Sequence, residues 1–343
     1  MARVPKALGG IGWILGAAAL GVGAGLAAER LVVGKDRLRP DPYADVPYGK
    51  LAGDRLYHVT SFDGARLLAE DFGSPDAKTG VIFLHGYCLD RTIWHHQMES
   101  PSDTRRIFYD ARNHGRSLDS GRAEADTITL ARDLKAVLDQ SGLEEAVLVG
   151  HSMGGMTVLE FCRLHPEELG GRVRGLVLVN TTYTDLIKTL FAAEIIGPVE
   201  RRTRKVVGAI LDSGRSSAVL RLRGDDLSWL LVKFFGFGAD ASPTQIGYTV
   251  KLLSQFPNPP LVEMLNGIRK FDMEEALNAI DVPCLIIAGG TDRVTTVKAS
   301  ERMHEEIKGS TLEVFDDEGH MTMMEGEQRF NPLLDKFLDE VFE

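Results

Sequence analysis

The segment that most constrains the fold of this chain is Gly150-His151-Ser152-Met153-Gly154, which directly follows the apolar run 146–149. We expect a helix from near Met153, so the motif predicts a strand that turns sharply into a helix. Glycines flank the serine because Cβ atoms at those places would collide in so tight a turn. The turn lifts the Ser152 hydroxyl above the end of the strand. This arrangement is typical of α/β folds.

The same pattern of strand and helix repeats along the chain. Continuous apolar runs alternate with helical stretches, and they predict strands at 81–84, 106–109, 146–149, 175–179, 284–288 and 311–315. Runs without polar alternation indicate strands that are buried on both faces. We therefore expect a mostly parallel central sheet with helices on both faces. An Asp63-Gly64 turn between 56–61 and 65–72 predicts an antiparallel hairpin that opens the sheet.

An interruption of this pattern predicts an inserted helical cap at about 183–270. Apolar residues recur in the interruption, among them Leu190, Ile195, Trp229 and the run 234–237. They fit two interpretations, of which the second is favoured at least as much as the first. They line a pocket for an apolar group of the substrate, or they only pack the cap helices together. The sequence therefore assigns no specificity residue.

The serine needs a base, because a hydroxyl becomes a good nucleophile only when its proton is removed. Asp292 follows the predicted strand 284–288, and His320 follows the predicted strand 311–315. Both therefore lie at the carboxyl ends of strands, the edge at which Ser152 also lies. The order serine, acid, histidine is the order that this kind of turn uses. Asp185 is the rival position for the acid.

In this order, the landmarks resemble the α/β-hydrolase superfamily, in its esterase, lipase and perhydrolase-like branch. The resemblance covers the chain from about Leu51 to the C-terminus. Besides the residues above, it includes His85-Gly86-Tyr87 after the first long apolar run and Asp110-Ala-Arg-Asn-His-Gly-Arg-Ser117 after the second. It implies the α/β-hydrolase fold for this chain.

The resemblance also implies a role for each site residue. Ser152 would be the nucleophile, His320 the general base and then the general acid, and Asp292 the group that orients the imidazole. The oxyanion hole would consist of the backbone N–H groups of Tyr87 and Met153. This chemistry needs no cofactor.

One loop departs from the family pattern. The usual Asp-x-Arg-Gly-x-Gly-x-Ser has Asn113 in place of its first glycine. Asparagine tolerates a left-handed backbone well, so we expect the loop to keep its shape. We expect Asp110 and Arg112 to hold this loop by ion pairing. His114 is interpreted as a surface or loop residue, and His151 as a buried residue behind the serine.

Composition excludes several other classes of protein. Lys and Arg number 39 against 49 Asp and Glu, a net charge of −10 that argues against nucleic-acid binding. Three cysteines, Cys88, Cys162 and Cys284, are no disulfide framework and are interpreted as small core residues. No Cys-x-x-Cys or His-Glu-x-x-His spacing occurs in the sequence, and we predict no metal site.

The N-terminal region has a different composition, since no charged residue occurs from Ala7 to Ala28. A helix of that length would extend about 33 Å, roughly one bilayer core. We predict a membrane-anchor segment at 1–33 with a transmembrane helix, a linker at 34–50 and the hydrolase domain at 51–343. A cleaved signal peptide and an apolar tail on the membrane surface are the alternatives. Lys and Arg after the segment slightly favour the cytoplasmic face.

The predicted function is hydrolysis of a carboxylic ester in a small apolar molecule, through an acyl-enzyme on Ser152. The same groups also serve thioesterases, C–C hydrolases, acyltransferases and cofactor-free haloperoxidases, and the pocket decides among them. Epoxide hydrolases of the superfamily fit less well, because they place aspartate where this chain has Ser152. A catalytically silent scaffold is the alternative outside enzymes.

Overall fold

One mixed sheet organises the molecule. The computed structural model describes residues 30, 33–100, 104–118, 121–185, 225–255 and 258–343. Within these residues, eight strands form one sheet in the order β1-β2-β4-β3-β5-β6-β7-β8. The strands are β1 Arg55–Thr60, β2 Arg66–Phe72, β3 Thr79–Leu84, β4 Arg105–Tyr109, β5 Glu145–His151, β6 Val173–Val179, β7 Cys284–Gly289 and β8 Thr311–Phe315.

The pairing of the strands confirms the predicted fold. β1 is antiparallel to β2, β2 is antiparallel to β4, and the other neighbouring pairs are parallel. The turn of the opening hairpin contains Gly64 with a φ of +94°. Asp63 Oδ1 accepts the N–H of Ala65 at 3.1 Å, so the aspartate side chain stabilises the turn.

The central strands are apolar throughout because both of their faces are covered. On β3, Ile82 packs into one core cluster, whereas Val81 and Phe83 pack into the cluster on the other face. All three side chains are fully buried. Alternate residues point to opposite faces of a strand, so a strand between two cores must be apolar at every position.

Helices cover both faces, as predicted. Leu134 and Leu159 pack in the first core cluster, and Phe330 and Leu338 pack in the second. The helices are α1 His95–Glu99, α2 Thr127–Ser141, α3 Met153–Leu164, α4 Asp225–Gly236, α5 Pro243–Gln255, α6 Asn258–Ile268, α7 Val297–Glu306, α8 Thr322–Glu325 and α9 Glu327–Phe342.

Three of these helices, α4, α5 and α6, lie between β6 and β7, inside the predicted insertion. Residues 186–224 of the insertion, with Leu190 and Ile195, lie outside the described residues. Trp229 and Phe237 are buried in the second core cluster, whereas Phe234 and Phe235 are largely exposed. These four aromatic residues therefore pack against the core or face solvent.

Part of the segment predicted as a linker, 34–50, contacts these helices. Asp36 accepts a hydrogen bond of 2.8 Å from the indole N–H of Trp229 on α4. Asp41 accepts the backbone N–H of Thr244 at 2.7 Å. That N–H belongs to the first turn of α5, where the helix itself supplies no acceptor. The segment is therefore attached to two helices of the insertion.

The predicted membrane localisation is wrong. Along the described residues, no helix is both long and apolar enough to cross a membrane. The segment 7–28, on which the prediction depended, lies outside those residues. The prediction overrated the absence of charge, because seven glycines and seven alanines make up most of that segment. Small residues of this kind contribute little free energy of transfer into a bilayer.

Candidate active site

The sheet brings the three predicted site residues to one edge. Ser152 follows β5, Asp292 follows β7, and His320 follows β8. β5, β6, β7 and β8 are parallel neighbours, so their carboxyl ends share an edge. Ligands bind at this edge in open α/β sheets.

The backbone at Ser152 has the strained conformation that the glycine pattern predicts. Its φ is +52° and its ψ is −118°, a left-handed position that side chains seldom occupy. A Cβ on Gly150 would lie 2.5 Å from the carbonyl carbon of Gly154, and a Cβ on Gly154 would overlap the carbonyl oxygen of Leu84. Glycine is therefore required on both sides of the serine.

The imidazole of His320 is paired with Asp292. His320 Nδ1 lies 2.8 Å from Asp292 Oδ2. The other oxygen of that buried carboxylate accepts the backbone N–H groups of Val294 and Thr295, at 2.7 and 3.1 Å. The carboxylate on the imidazole is thus that of Asp292, and not that of the rival Asp185. Nδ1 faces Asp292, which leaves Nε2 on the opposite side of the ring.

Among the described residues, no hydrogen bond joins the Ser152 hydroxyl to the His320 imidazole. Such bonds are often long in structures without substrate and shorten when the substrate binds. The two residues are connected through His151, which precedes the serine. His151 Nε2 donates to the carbonyl of His320 at 2.9 Å, and the two rings lie 4.8 Å apart.

His151 is fully buried, as predicted, and burial lowers its pKa well below the ordinary value. A second residue that holds His320 was missed by the sequence analysis. Asn180 Nδ2 donates to the carbonyl of His320 at 2.7 Å, and Asn180 Oδ1 accepts the N–H of Gly289 at 2.7 Å. Asn180 thereby connects the loop after β8 to the end of β7. Its position directly after the apolar strand β6 was the available signal.

The predicted oxyanion loop lies against the serine. A Cβ on Gly86 would lie 3.2 Å from the Cβ of Ser152. His85 Nδ1 donates to the carbonyl of Gly86 at 2.8 Å, which fixes the plane of the Gly86–Tyr87 peptide. The N–H of Tyr87 points opposite to that carbonyl, because the peptide is trans. Met153 begins α3, so its N–H has no acceptor within the helix.

Two buried histidines, His85 and His114, clasp this loop to the loop after β4. His85 Nε2 accepts the N–H of Ala111 at 3.0 Å, and His114 Nε2 accepts the N–H of Cys88 at 3.2 Å. Both rings are fully buried and lie 5.1 Å apart, and burial lowers the pKa of each. His114 is therefore a loop residue, as one of the two interpretations has it, but it is buried and does not lie at the surface. A neutral ring is required, because a protonated Nε2 could not accept an N–H.

The loop after β4 keeps the expected shape and is held by ion pairs. Asn113 has a φ of +64°, the left-handed conformation expected where the resembling family has glycine. Arg112 pairs with Asp133 at 2.6 Å. Asp110 pairs with Arg91 at 3.1 Å. The two predicted members thus hold the loop through separate partners.

A cavity of about 310 Å³ opens beside these two loops, against α5. Its lining is mixed, since Leu89 and Leu252 lie beside Asp90, Thr92, Arg116, Tyr248 and Lys251. Across the described part of the chain, no group of three or more His, Cys, Asp or Glu side chains is arranged to hold a metal ion.

Comparison with known proteins identifies the family. The profile of the Alpha/beta hydrolase family matches residues 81–333. The chain belongs to this family. The alpha/beta hydrolase is 28% identical over 268 residues to a non-heme haloperoxidase of Rhodococcus erythropolis, covering 76% of this chain and 92% of the relative. It is 28% identical over 309 residues to epoxide hydrolase A of Mycobacterium tuberculosis, covering 80% of this chain and 95% of the relative.

Solved structures show the same fold. An esterase from Exiguobacterium antarcticum superposes on this alpha/beta hydrolase with a TM-score of 0.67 at 23% identity. The superposition covers 82% of this chain and 99% of the esterase. The fold class predicted from the sequence is confirmed.

Proposed function

We propose that this alpha/beta hydrolase cleaves a carboxylic ester of a small molecule through Ser152, His320 and Asp292. The observation that carries the proposal is the His320–Asp292 pair, at 2.8 Å, on the same sheet edge as a serine in a left-handed turn. Asp292 holds the proton on Nδ1, so Nε2 is the nitrogen that accepts a proton from the serine.

The reaction proceeds in two halves. Ser152 Oγ attacks the ester carbonyl while His320 Nε2 takes its proton, and the N–H groups of Tyr87 and Met153 hold the oxyanion. The C–O bond to the alcohol breaks, and His320 returns the proton to that oxygen. Water then attacks the acyl-enzyme, with His320 as base, and the acid leaves as Ser152 is restored.

The relatives support this chemistry without fixing the substrate. The similar solved structure is that of an esterase, and one relative is a non-heme haloperoxidase. Epoxide hydrolysis fits this chain less well, because epoxide hydrolases of the superfamily use aspartate as the nucleophile where this chain has Ser152. The haloperoxidase relative favours a second candidate function. In that reaction hydrogen peroxide instead of water attacks the same acyl-enzyme and releases a peracid.

A labelling experiment tests the proposal. The wild-type chain should react covalently with a fluorophosphonate, and Ser152→Ala should not. Ser254→Ala is the matched control, because Ser254 is an exposed serine on α5. p-Nitrophenyl esters of increasing acyl length then measure turnover and size the acyl site.

Each outcome has a distinct meaning. Labelling lost in Ser152→Ala, together with ester turnover, supports the hydrolase. Formation of a peracid when hydrogen peroxide is added, with a rise in turnover, supports the second candidate. Equal labelling of wild type and Ser152→Ala, or no labelling of either, would overturn the assignment of Ser152.

A further inference from the structure

Glu325, the last residue of α8, contacts two regions that the sequence does not bring together. Its Oε1 accepts the backbone N–H of Gly319 at 2.8 Å. Its Oε2 accepts the backbone N–H of Gly238 at 2.7 Å. Gly319 directly precedes His320, and Gly238 follows α4 of the insertion. One carboxylate therefore bridges the histidine loop and the end of an inserted helix.

On the histidine side, Glu325 supplies the carboxyl group of the set that holds the loop, and this group is charged above about pH 7. The carbonyl of His320 is held by two neutral groups, the amide of Asn180 and the imidazole of His151. The N–H of Gly319 is held by the Glu325 carboxylate. Hydrogen bonds to a charged acceptor are about twice as strong as neutral ones.

On the insertion side, the chain after α4 packs directly on the histidine loop. A Cβ on Gly319 would lie 2.5 Å from the carbonyl carbon of Phe237, so the two backbones touch. Met321, which follows His320, donates its N–H to the carbonyl of Gly236 at 2.9 Å. Hydrogen bonds thus join the end of α4 to the chain on both sides of His320. On one side the connection is direct, and on the other it consists of the two hydrogen bonds to the Glu325 carboxylate.

We propose that Glu325 is a positioning residue that holds the His320 imidazole in a fixed position relative to the end of the inserted helix α4. The inference rests on the proposed function, since it concerns the base of that reaction. Glu325 does not touch the reacting atoms. It acts through the backbone of the residue before His320, so displacement of α4 would displace the imidazole.

The charge of Glu325 makes the bridge sensitive to pH. Burial raises the pKa of Glu325 to about 7, and the negative charges of Glu318 and Asp292 add to the increase. The segment after α4 offers it a backbone N–H. The ionised carboxylate accepts both N–H groups, whereas protonation places a hydrogen on one oxygen and weakens one of the two bonds.

The first test compares Glu325→Gln with Glu340→Gln. The glutamine keeps one acceptor oxygen and turns an NH₂ group toward the other N–H. We expect kcat to fall about 10- to 100-fold with KM within about threefold, and the rate of Ser152 labelling to fall in parallel. Glu340 is an exposed carboxylate on α9, so its variant should match the wild type. Unchanged kcat in a folded Glu325→Gln protein would overturn the proposal.

The second test needs no variant and applies even if Glu325→Gln fails to fold. Glycine-selective ¹⁵N labelling of the wild type follows the amides of Gly319 and Gly238 as pH is varied. Both should shift with one common midpoint near pH 7. Separate midpoints, or no shift in either amide, would contradict the bridge. If the wild type does not react with the fluorophosphonate at Ser152, the proposed function is overturned. The amide titration still decides on the role of Glu325.

Discussion

The serine turn and the histidine loop reach the same sheet edge by different means. The turn at Ser152 is fixed by close backbone contacts at Gly150 and Gly154, all within a few residues or on the adjoining strand. The loop at His320 is fixed by side chains from distant parts of the chain, such as Asn180. Ser152 is thus positioned by close backbone contacts, and His320 by long-range hydrogen bonds. A local motif reveals the first in a sequence, but not the second.

The largest effect should show that the two regions act as one unit. Ser152→Ala and His320→Ala should each lower kcat by about 10⁶-fold, because neither group works without the other. The double variant should lose little more than either single variant. Single-turnover kinetics on a p-nitrophenyl ester measures all three proteins, with far-UV circular dichroism as the control for folding. Losses that multiply in the double variant would mean that the serine and histidine act independently.

The next effect tests the long-range hydrogen bonds that hold His320. Asn180→Ala removes a buried amide and leaves the carbonyl of His320 and the N–H of Gly289 without it, so the free energy of unfolding should fall by about 2–4 kcal/mol. Asn180 has a φ of +42°, which glycine adopts without strain. Asn180→Gly should therefore be less destabilised than Asn180→Ala.

Urea unfolding measures both Asn180 variants, and kcat of the folded fraction reports the position of His320. Equal stability of the two variants would show that the backbone at residue 180 carries no strain. A kcat equal to that of the wild type would show that Asn180 holds the strand end without positioning the imidazole.

A smaller effect concerns the hydrogen bonds of His85 and His114 that join the two loops beside Ser152. His114→Ala removes the acceptor of the Cys88 N–H, which should lower the free energy of unfolding by about 1–3 kcal/mol at pH 7.5. Burial lowers the pKa of His114, so the folded protein keeps it neutral while the unfolded chain takes a proton below about pH 6.5. Stability present above that pH is lost as the pH falls.

Urea titrations at pH 7.5 and 5.5 check the sign of this pH effect. Part of the loss of stability between the two values should disappear in His114→Ala. The exposed His58 on β1 gives the control, because His58→Ala should leave the loss unchanged. If His114→Ala and the wild type differ in stability by the same amount at both pH values, the pKa of His114 is not depressed.

The sequence predicts most of the fold because its signals are local. Apolar runs mark the strands, and the residues that follow them, Ser152, Asp292 and His320, lie at one edge. Asn180 also directly follows an apolar strand, so the same signal could have identified it. Glu325 carries no such signal, because its role depends on the packing of Gly238 against the histidine loop. Burial of His114 likewise results from two loops that meet only in the folded chain.

The smallest effect tests the one place where the loop after β4 departs from the family pattern. Asn113 has a φ of +64°, and the family has glycine there. Asparagine tolerates this conformation better than other side chains, yet glycine adopts it without a steric cost. Glycine also gains freedom in the unfolded chain, which offsets part of the benefit. Asn113→Gly should therefore change the free energy of unfolding by less than about 1 kcal/mol, and Asn113→Val should lower it by more. If valine is tolerated as well as glycine, the loop is set by the ion pairs of Asp110 and Arg112 and not by its backbone.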